Sequence, residues 1–250
     1  MWILDQTAIV LMIPKIIHYC WFGHSPLPEL AQKCIDSWHQ HMPDWEYKLW
    51  DEGNFDVGIN TYAREAYEAG KFAFVSDFVR LWALVKEGGV YLDTDVEVFK
   101  SLDDLLCHSA FAGFEGSKYL PMGTFIIASE AHGQWAQEIL SHYDNRHFLL
   151  EDGTFDLTTN VQYISEIMRE QGFVQNGKEQ EYKDLHIFPV DYFSPRRTTG
   201  EYLRAENTYC YHLGFGSWSE SRGGWKDVVG RILGPRVMPT LIKMKRKIIG

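Results

Sequence analysis

Apolar and charged positions alternate with period two over residues 45–50 (WEYKLW), the pattern of a half-buried strand. A β-rich run at residues 13–19 (IPKIIHY) precedes it and ends at Trp21, Phe22 and Gly23. Between them lie the turn-rich GHSPLPEL and residues 30–39, where Leu30, Cys34, Ile35 and Trp38 recur at helical spacing. A β-α-β order in so short a span begins an α/β fold with a mostly parallel sheet. Residues 61–70 read as a helix closed by Gly70. Residues 73–86 read as a second helix, with Phe78, Leu81, Trp82 and Val85 on one face and Gly88 and Gly89 as its stop. Residues 90–92 then form a buried strand. After residue 105 the pattern weakens: strands are expected at 110–114, 123–128, 185–190 and 208–213, and helices at 134–143 and 161–171. His18, within the first strand, is expected to be a structural hydrogen-bonding group.

The 250 residues, 45% of them hydrophobic, suffice for one full core, and no repeat or low-complexity linker divides them. The expected organisation is an N-terminal extension at 1–12, a single domain at 13–230 and a tail at 231–250. The extension is apolar but carries Asp5, lacks a basic flank and is too short to cross a bilayer. Net charge is −10, yet the last twenty residues hold Arg231, Arg236, Lys243, Lys245, Arg246 and Lys247 and no acid. The acidic remainder argues against nucleic acid as a partner. The tail interleaves its cations with Leu241, Ile242, Met244, Ile248 and Ile249, a composition suited to peripheral contact with an anionic membrane or to an ordinary amphipathic end helix. Cys20, Cys34, Cys107 and Cys210 make no CxxC or zinc spacing, which fits a reducing, cytoplasmic setting.

Chemistry concentrates in GGVYLDTDVE, residues 88–97. Asp93 and Asp95 follow a buried strand, at the position where open α/β sheets bind ligands. On a regular strand two such side chains diverge. Beyond the strand end the chain can turn and bring them together as oxygen ligands for a hard cation that a diphosphate also coordinates. Aspartates in surface turns are common, so the motif alone is weak, and Glu97 is expected to face solvent or anchor backbone. Asp77 and Arg80, three apart on the preceding helix, strengthen it. They are either a surface ion pair or a pair reaching a sugar.

The ordered set IPKIIHYCWFG, FVSDFVRLWALVKEGGVYLDTDVE and YHLGFGSW resembles the DXD-containing sugar-nucleotide glycosyltransferases of the bacterial capsular-polysaccharide type, related to the yeast initiating mannosyltransferase and to clostridial glucosylating toxin domains. That resemblance implies a GT-A-like (Rossmann-like) α/β domain with a mixed, mostly parallel sheet and helical additions. It implies Trp21 stacking on the nucleobase, Asp77 and Arg80 on donor sugar and ribose, Asp93 on sugar and ribose, and Asp95 on the metal, with Asp77, Arg80, Asp93 and Asp95 as the catalytic set. Ser217 and Trp218 would close over the diphosphate after the flexible Gly214-Phe215-Gly216. The toxin pattern has an acid ahead of the Ser-Trp pair that is missing here; His212 stands as a candidate metal ligand in its place, or as a purely structural histidine. Further implications are Mn²⁺ or Mg²⁺ as cofactor, a UDP-sugar or GDP-sugar donor, a glycan or lipid-linked glycan acceptor, retention at the anomeric carbon, and work at the inner face of the plasma membrane. A nucleotide-sugar hydrolase and a non-catalytic carbohydrate-binding module are the competing readings.

Overall fold

The computed structural model describes residues 13–115, 124–193, 195 and 203–214. The expected extension at 1–12, the tail at 231–250, and Ser217 and Trp218 lie outside the described residues.

Strand β1 (Ile16–Cys20) begins after Pro14, whose carbonyl accepts from the Ile16 N–H at 2.8 Å and so delays the strand past residue 13. Helix α1 (Glu29–His41) buries Ala31, Cys34, Ile35 and Trp38, the face its spacing predicts. Then come β2 (Glu46–Trp50), α2 (Thr61–Glu68), α3 (Phe72–Glu87), β3 (Gly89–Leu92) and β4 (Val96–Val98). The second half adds β5 (Ala110–Gly113), β6 (Ile126–Ser129), α4 (Gln134–Ser141), α5 (Asn160–Glu170), β7 (Gln180–Tyr182), β8 (Leu185–Phe188) and β9 (Cys210–His212). α5 opens with a capping box, in which Thr159 and Gln162 satisfy each other's backbone N–H groups. β8 ends where Pro189 follows, a residue that cannot donate to a ladder.

Seven strands form one sheet in the order β2-β1-β3-β6-β5-β8-β7. The pairs β1–β2, β1–β3 and β5–β8 are parallel, and β3–β6, β5–β6 and β7–β8 antiparallel, so only β6 and β7 oppose the common direction. The mixed, mostly parallel α/β sheet expected from the sequence is what the chain forms. β3, β5, β6 and β8 are buried along their whole length, as strands covered on both faces must be. One face packs against α2, α3, α4 and α5; the other carries α1 and a separate two-stranded antiparallel sheet of β4 and β9.

Two glycines let α3 turn straight into β3. Gly88 caps the helix at φ 68° and Gly89 enters the strand at φ 116°. A Cβ on Gly89 would stand 2.7 Å from the Ile16 carbonyl oxygen, a backbone atom that cannot swing away. Gly89→Ala should therefore cost about 2–4 kcal/mol by combining positive-φ strain with a backbone clash. Urea unfolding of the variant measures it; an unchanged midpoint would refute the close approach.

His18 is fully buried on β1. Its Nδ1 accepts from the Trp50 indole N–H at 3.1 Å, so its Nε2–H donates to the Gly88 carbonyl at 2.8 Å, and the ring ties β1 to β2 and to the helix–strand turn. The structural role expected for it holds. Burial lowers its pKa from the ordinary 6.5. An unfolded chain thus binds a proton that the native ring refuses, and stability falls as pH drops below 6.5, by up to about 1.4 kcal/mol per pH unit from this group. Unfolding free energies at pH 7.5 and 5.5, compared with those of His18→Gln, isolate this contribution.

Candidate active site

Asp77 and Arg80 share the buried face of α3, only 9% and 5% exposed. This is not a surface ion pair. Arg80 Nη2 lies 2.9 Å from Asp77 Oδ1, and Nη1 lies 3.3 Å from Asp93 Oδ1. Nη1 also donates to the Thr124 carbonyl at 2.6 Å and Nε to the Ser76 carbonyl at 3.2 Å, with the guanidinium 4.5 Å from the centre of the Tyr91 ring. The sequence reading sent Arg80 toward the donor sugar and ribose. In the fold its donors are engaged by protein, and it braces Asp77 against Asp93.

β3 ends at Leu92, and the Asp93 N–H still pairs with the Phe125 carbonyl at 2.9 Å. The Val96 N–H then folds back to the Asp93 carbonyl at 3.0 Å, closing a turn over Thr94 and Asp95. That turn makes two carboxylates converge where an extended strand would send them apart. Immediately after it, β4 pairs with β9 in the register Val96↔His212, and the Leu213 N–H donates to the Asp95 carbonyl at 2.9 Å. A histidine more than a hundred residues downstream is thereby delivered to the turn. One ligand atom each from Asp93, Asp95 and His212 lie within 4.8 Å of one another.

His212 Nε2 is 3.4 Å from Asp95 Oδ1, its Nδ1 is 2.7 Å from Glu115 Oε1, and its ring stacks on Phe125 at 4.6 Å. Burial opposes charging the imidazole, but Asp95 and Glu115 on its two sides raise its pKa well above the ordinary value. Asp93 is pushed up by burial, pulled down by Arg80 and pushed up again by Asp95. Burial raises the Asp77 carboxyl to about 6 against the pull of Arg80. Carboxylates crowded in a buried site call for a cation. Two carboxylates, one imidazole and a carboxylate behind that imidazole fit a divalent metal such as Mn²⁺ or Mg²⁺.

Trp21 sits one residue past β1, at the same edge of the sheet as the Asp93 turn because β1 and β3 are parallel neighbours. Its N–H pairs with the Trp50 carbonyl and its indole N–H with the Ser25 carbonyl at 2.6 Å, so the ring is held by its own loop. Glu97 occupies the face of β4 opposite the buried Val96 and Val98. Sequence reasoning missed Glu115, Tyr91, whose hydroxyl donates to Asp93 Oδ1 at 3.0 Å, and Thr124. It also missed the polar wall behind Asp77. There Tyr143 donates to Asn160 Oδ1 at 3.0 Å, the Asn160 side chain helps hold the Asp77 pKa down, and the buried Tyr62 hydroxyl has no hydrogen-bond partner among the described residues. Only the YLD spacing hinted at any of this.

Residues 28–112 match the family model described as the glycosyltransferase sugar-binding region containing DXD motif, and that stretch includes Asp77, Arg80, Asp93 and Asp95. That match spans 85 of the 250 residues, so the likeness to a DXD-type sugar-binding region belongs to this stretch. It is similar to inositol phosphoceramide mannosyltransferase 3 of Schizosaccharomyces pombe, 38% identical over 107 residues that make up 40% of this chain and 29% of that protein. It is similar to mannosyl phosphorylinositol ceramide synthase SUR1 of Saccharomyces cerevisiae, 30% identical over 55% of this chain and 37% of the other. Subversion of eukaryotic traffic protein A of Legionella pneumophila is 24% identical over 79% of this chain and 30% of its own length. The chain therefore spans about a third of the length of these relatives. Among solved structures, the PaToxG glycosyltransferase aligns with 18% identity and a TM-score of 0.43, covering 52% of this chain and 60% of that one.

Proposed function

We propose that this chain is a hexosyltransferase that moves a sugar from a nucleotide diphosphate to an acceptor hydroxyl. The observation that carries the reading is the convergence of Asp93, Asp95 and His212 beside the buried Arg80 brace, inside a DXD sugar-binding region. Asp95, Asp93 and His212 would hold a divalent cation that neutralises charge developing on the departing diphosphate. Asp77, ionised above about pH 6, accepts hydrogen bonds from sugar hydroxyls. Arg80 positions both aspartates. Trp21 offers a flat face to the base. Ser217 and Trp218 would contact the diphosphate, and the outcome would be retention by front-side displacement.

The names of the yeast relatives point to mannose as the first sugar to test, ahead of glucose and galactose. The acceptor is a glycan or lipid-linked glycan of a surface polysaccharide, worked on at the inner face of the membrane with residues 231–250 as a peripheral contact.

Binding of cation and donor to the folded chain alone must stabilise it. At a hundred times Kd the gain is about 2.7 kcal/mol. For a domain of this size that raises the Tm by about 5–10 °C. A thermal-shift screen of Mn²⁺ and Mg²⁺ with nucleotide-linked mannose, glucose and galactose should show a metal shift that grows with one donor. Product analysis with and without acceptor follows. Free sugar as the main product would indicate hydrolysis, and donor binding without turnover would indicate a binding module.

A further inference from the structure

A second group of ligating side chains lies on the other side of the sheet's polarity. β5 and β8 run in the direction of β3, so the start of β5 and of β8 faces the edge opposite the Asp93 turn. His108 stands two residues before β5, His186 is the second residue of β8, and Glu181 is the middle residue of the edge strand β7. β7 pairs with β8 in the register Glu181↔His186. The His108 and His186 rings stack at 4.1 Å. One ligand atom each of His108, Glu181 and His186 lie within 4.8 Å of one another.

His186 has a partner on each nitrogen: Nδ1 is 2.5 Å from Glu181 Oε1 and Nε2 is 3.0 Å from Glu179 Oε1. With Nδ1 and Glu181 turned to a common ion, Nε2–H donates to Glu179 and the imidazole is held in the tautomer that ligation needs. A carboxylate behind a ligating histidine is the usual supporting partner of a bound metal. Glu115 stands to His212 as Glu179 stands to His186. The His186 side chain is 11% exposed, which restrains its ring, while Glu181 is 64% exposed and leaves a route for entry and a place for water in the remaining coordination position.

We propose that His108, Glu181 and His186 form a second metal site, selective for a borderline divalent ion of the zinc, cobalt or nickel class. Two imidazoles and one carboxylate favour such ions over Mg²⁺ and Ca²⁺, whereas the oxygen-richer set at Asp93, Asp95 and His212 accepts the harder ones. The two sites are thus separable by metal. The second stands independently of any sugar transfer, and its place away from the Asp93 turn suits a structural clip joining β7, β8 and the approach to β5.

The test uses the full chain carrying Asp95→Asn, which silences the first site. Zn²⁺ titration by calorimetry and Co²⁺ titration by visible absorption should each show one ion bound per chain. Adding His108→Ala should weaken Zn²⁺ binding at least tenfold, and adding Glu179→Gln should weaken it about 10- to 100-fold. Glu181→Gln, at an exposed side chain, gives the same readout should His108→Ala fold poorly. No Zn²⁺ bound by the Asp95→Asn chain, or binding unchanged by His108→Ala and Glu181→Gln, overturns the proposal.

Discussion

Asp95→Asn is expected to slow sugar transfer by about 10³-fold while leaving the fold intact. The substitution keeps volume and removes one charge from a half-buried group of two carboxylates and an imidazole. A cation that stabilises a leaving diphosphate contributes several kcal/mol to the barrier, and about 4 kcal/mol corresponds to three powers of ten in rate. In the absence of metal the variant relieves the push on the Asp93 pKa but gives up the Asp95 partner of His212, which keeps Glu115, so its Tm should fall by only a few degrees. With metal, the stabilising shift should vanish. Steady-state kinetics at saturating Mn²⁺, with melting curves in metal and in chelator, check both halves. A variant that keeps its rate, or still melts higher with Mn²⁺, removes Asp95 from the cation site. Glu115→Gln acts on the far side of His212 from Asp95. It should weaken metal affinity by about 10- to 100-fold and leave the rate at saturating metal nearly unchanged.

Arg80→Met should be the most destabilising single change at the site. It strands Asp77 and Asp93 beside one another in the interior without their shared counter-ion. Removing one partner of a buried ionic group costs about 3–5 kcal/mol. In a domain of this size the Tm should drop by roughly 10 °C. Adding Asp77→Asn to the same chain should recover part of the loss, because the stranded charge disappears with it; the non-additivity, about 0.5–3 kcal/mol, measures the coupling. The pH dependence has a definite sign. Asp77 is already raised from 3.8 to about 6 in the folded chain. Without Arg80 only the weaker pulls of Arg146 and the Asn160 side chain remain, so it rises further. A carboxyl with a raised folded pKa binds its proton more tightly when native, so the variant should regain stability as pH falls from about 6 toward 4. Arg80→Met melting like the parent chain would show that Arg80 is not the brace.

Much of this site is contiguous and could be read along the chain. Gly88, Gly89 and the apolar triplet before Asp93 place the two aspartates past a strand end, and the three-residue spacing of Asp77 and Arg80 places them on one helical face. Where local pattern met a longer-range demand, it fell short. β4 and β7 are three residues each, too short for an alternation to register, yet β4 carries the chain from Asp95 to its pairing with β9. Arg80 reads as a ligand-facing cation because arginines seldom lie 5% exposed, and only the packed helix shows its donors engaged by Ser76, Asp77, Asp93 and Thr124.

The sequence by itself determined the class of fold and the strand exit that carries the acidic pair, because each depends on side chains within one helix, one strand or one turn; it expected a structural His18, but the partners Trp50 and Gly88 came from the fold. The tertiary structure alone decided between the two roles the sequence left open for His212, bringing it to Asp93 and Asp95, and showed that Glu115 backs His212 and that His108 meets His186. Those partners come from segments far apart in the chain, and strand register, a property of the whole sheet, selects which side chains share a face.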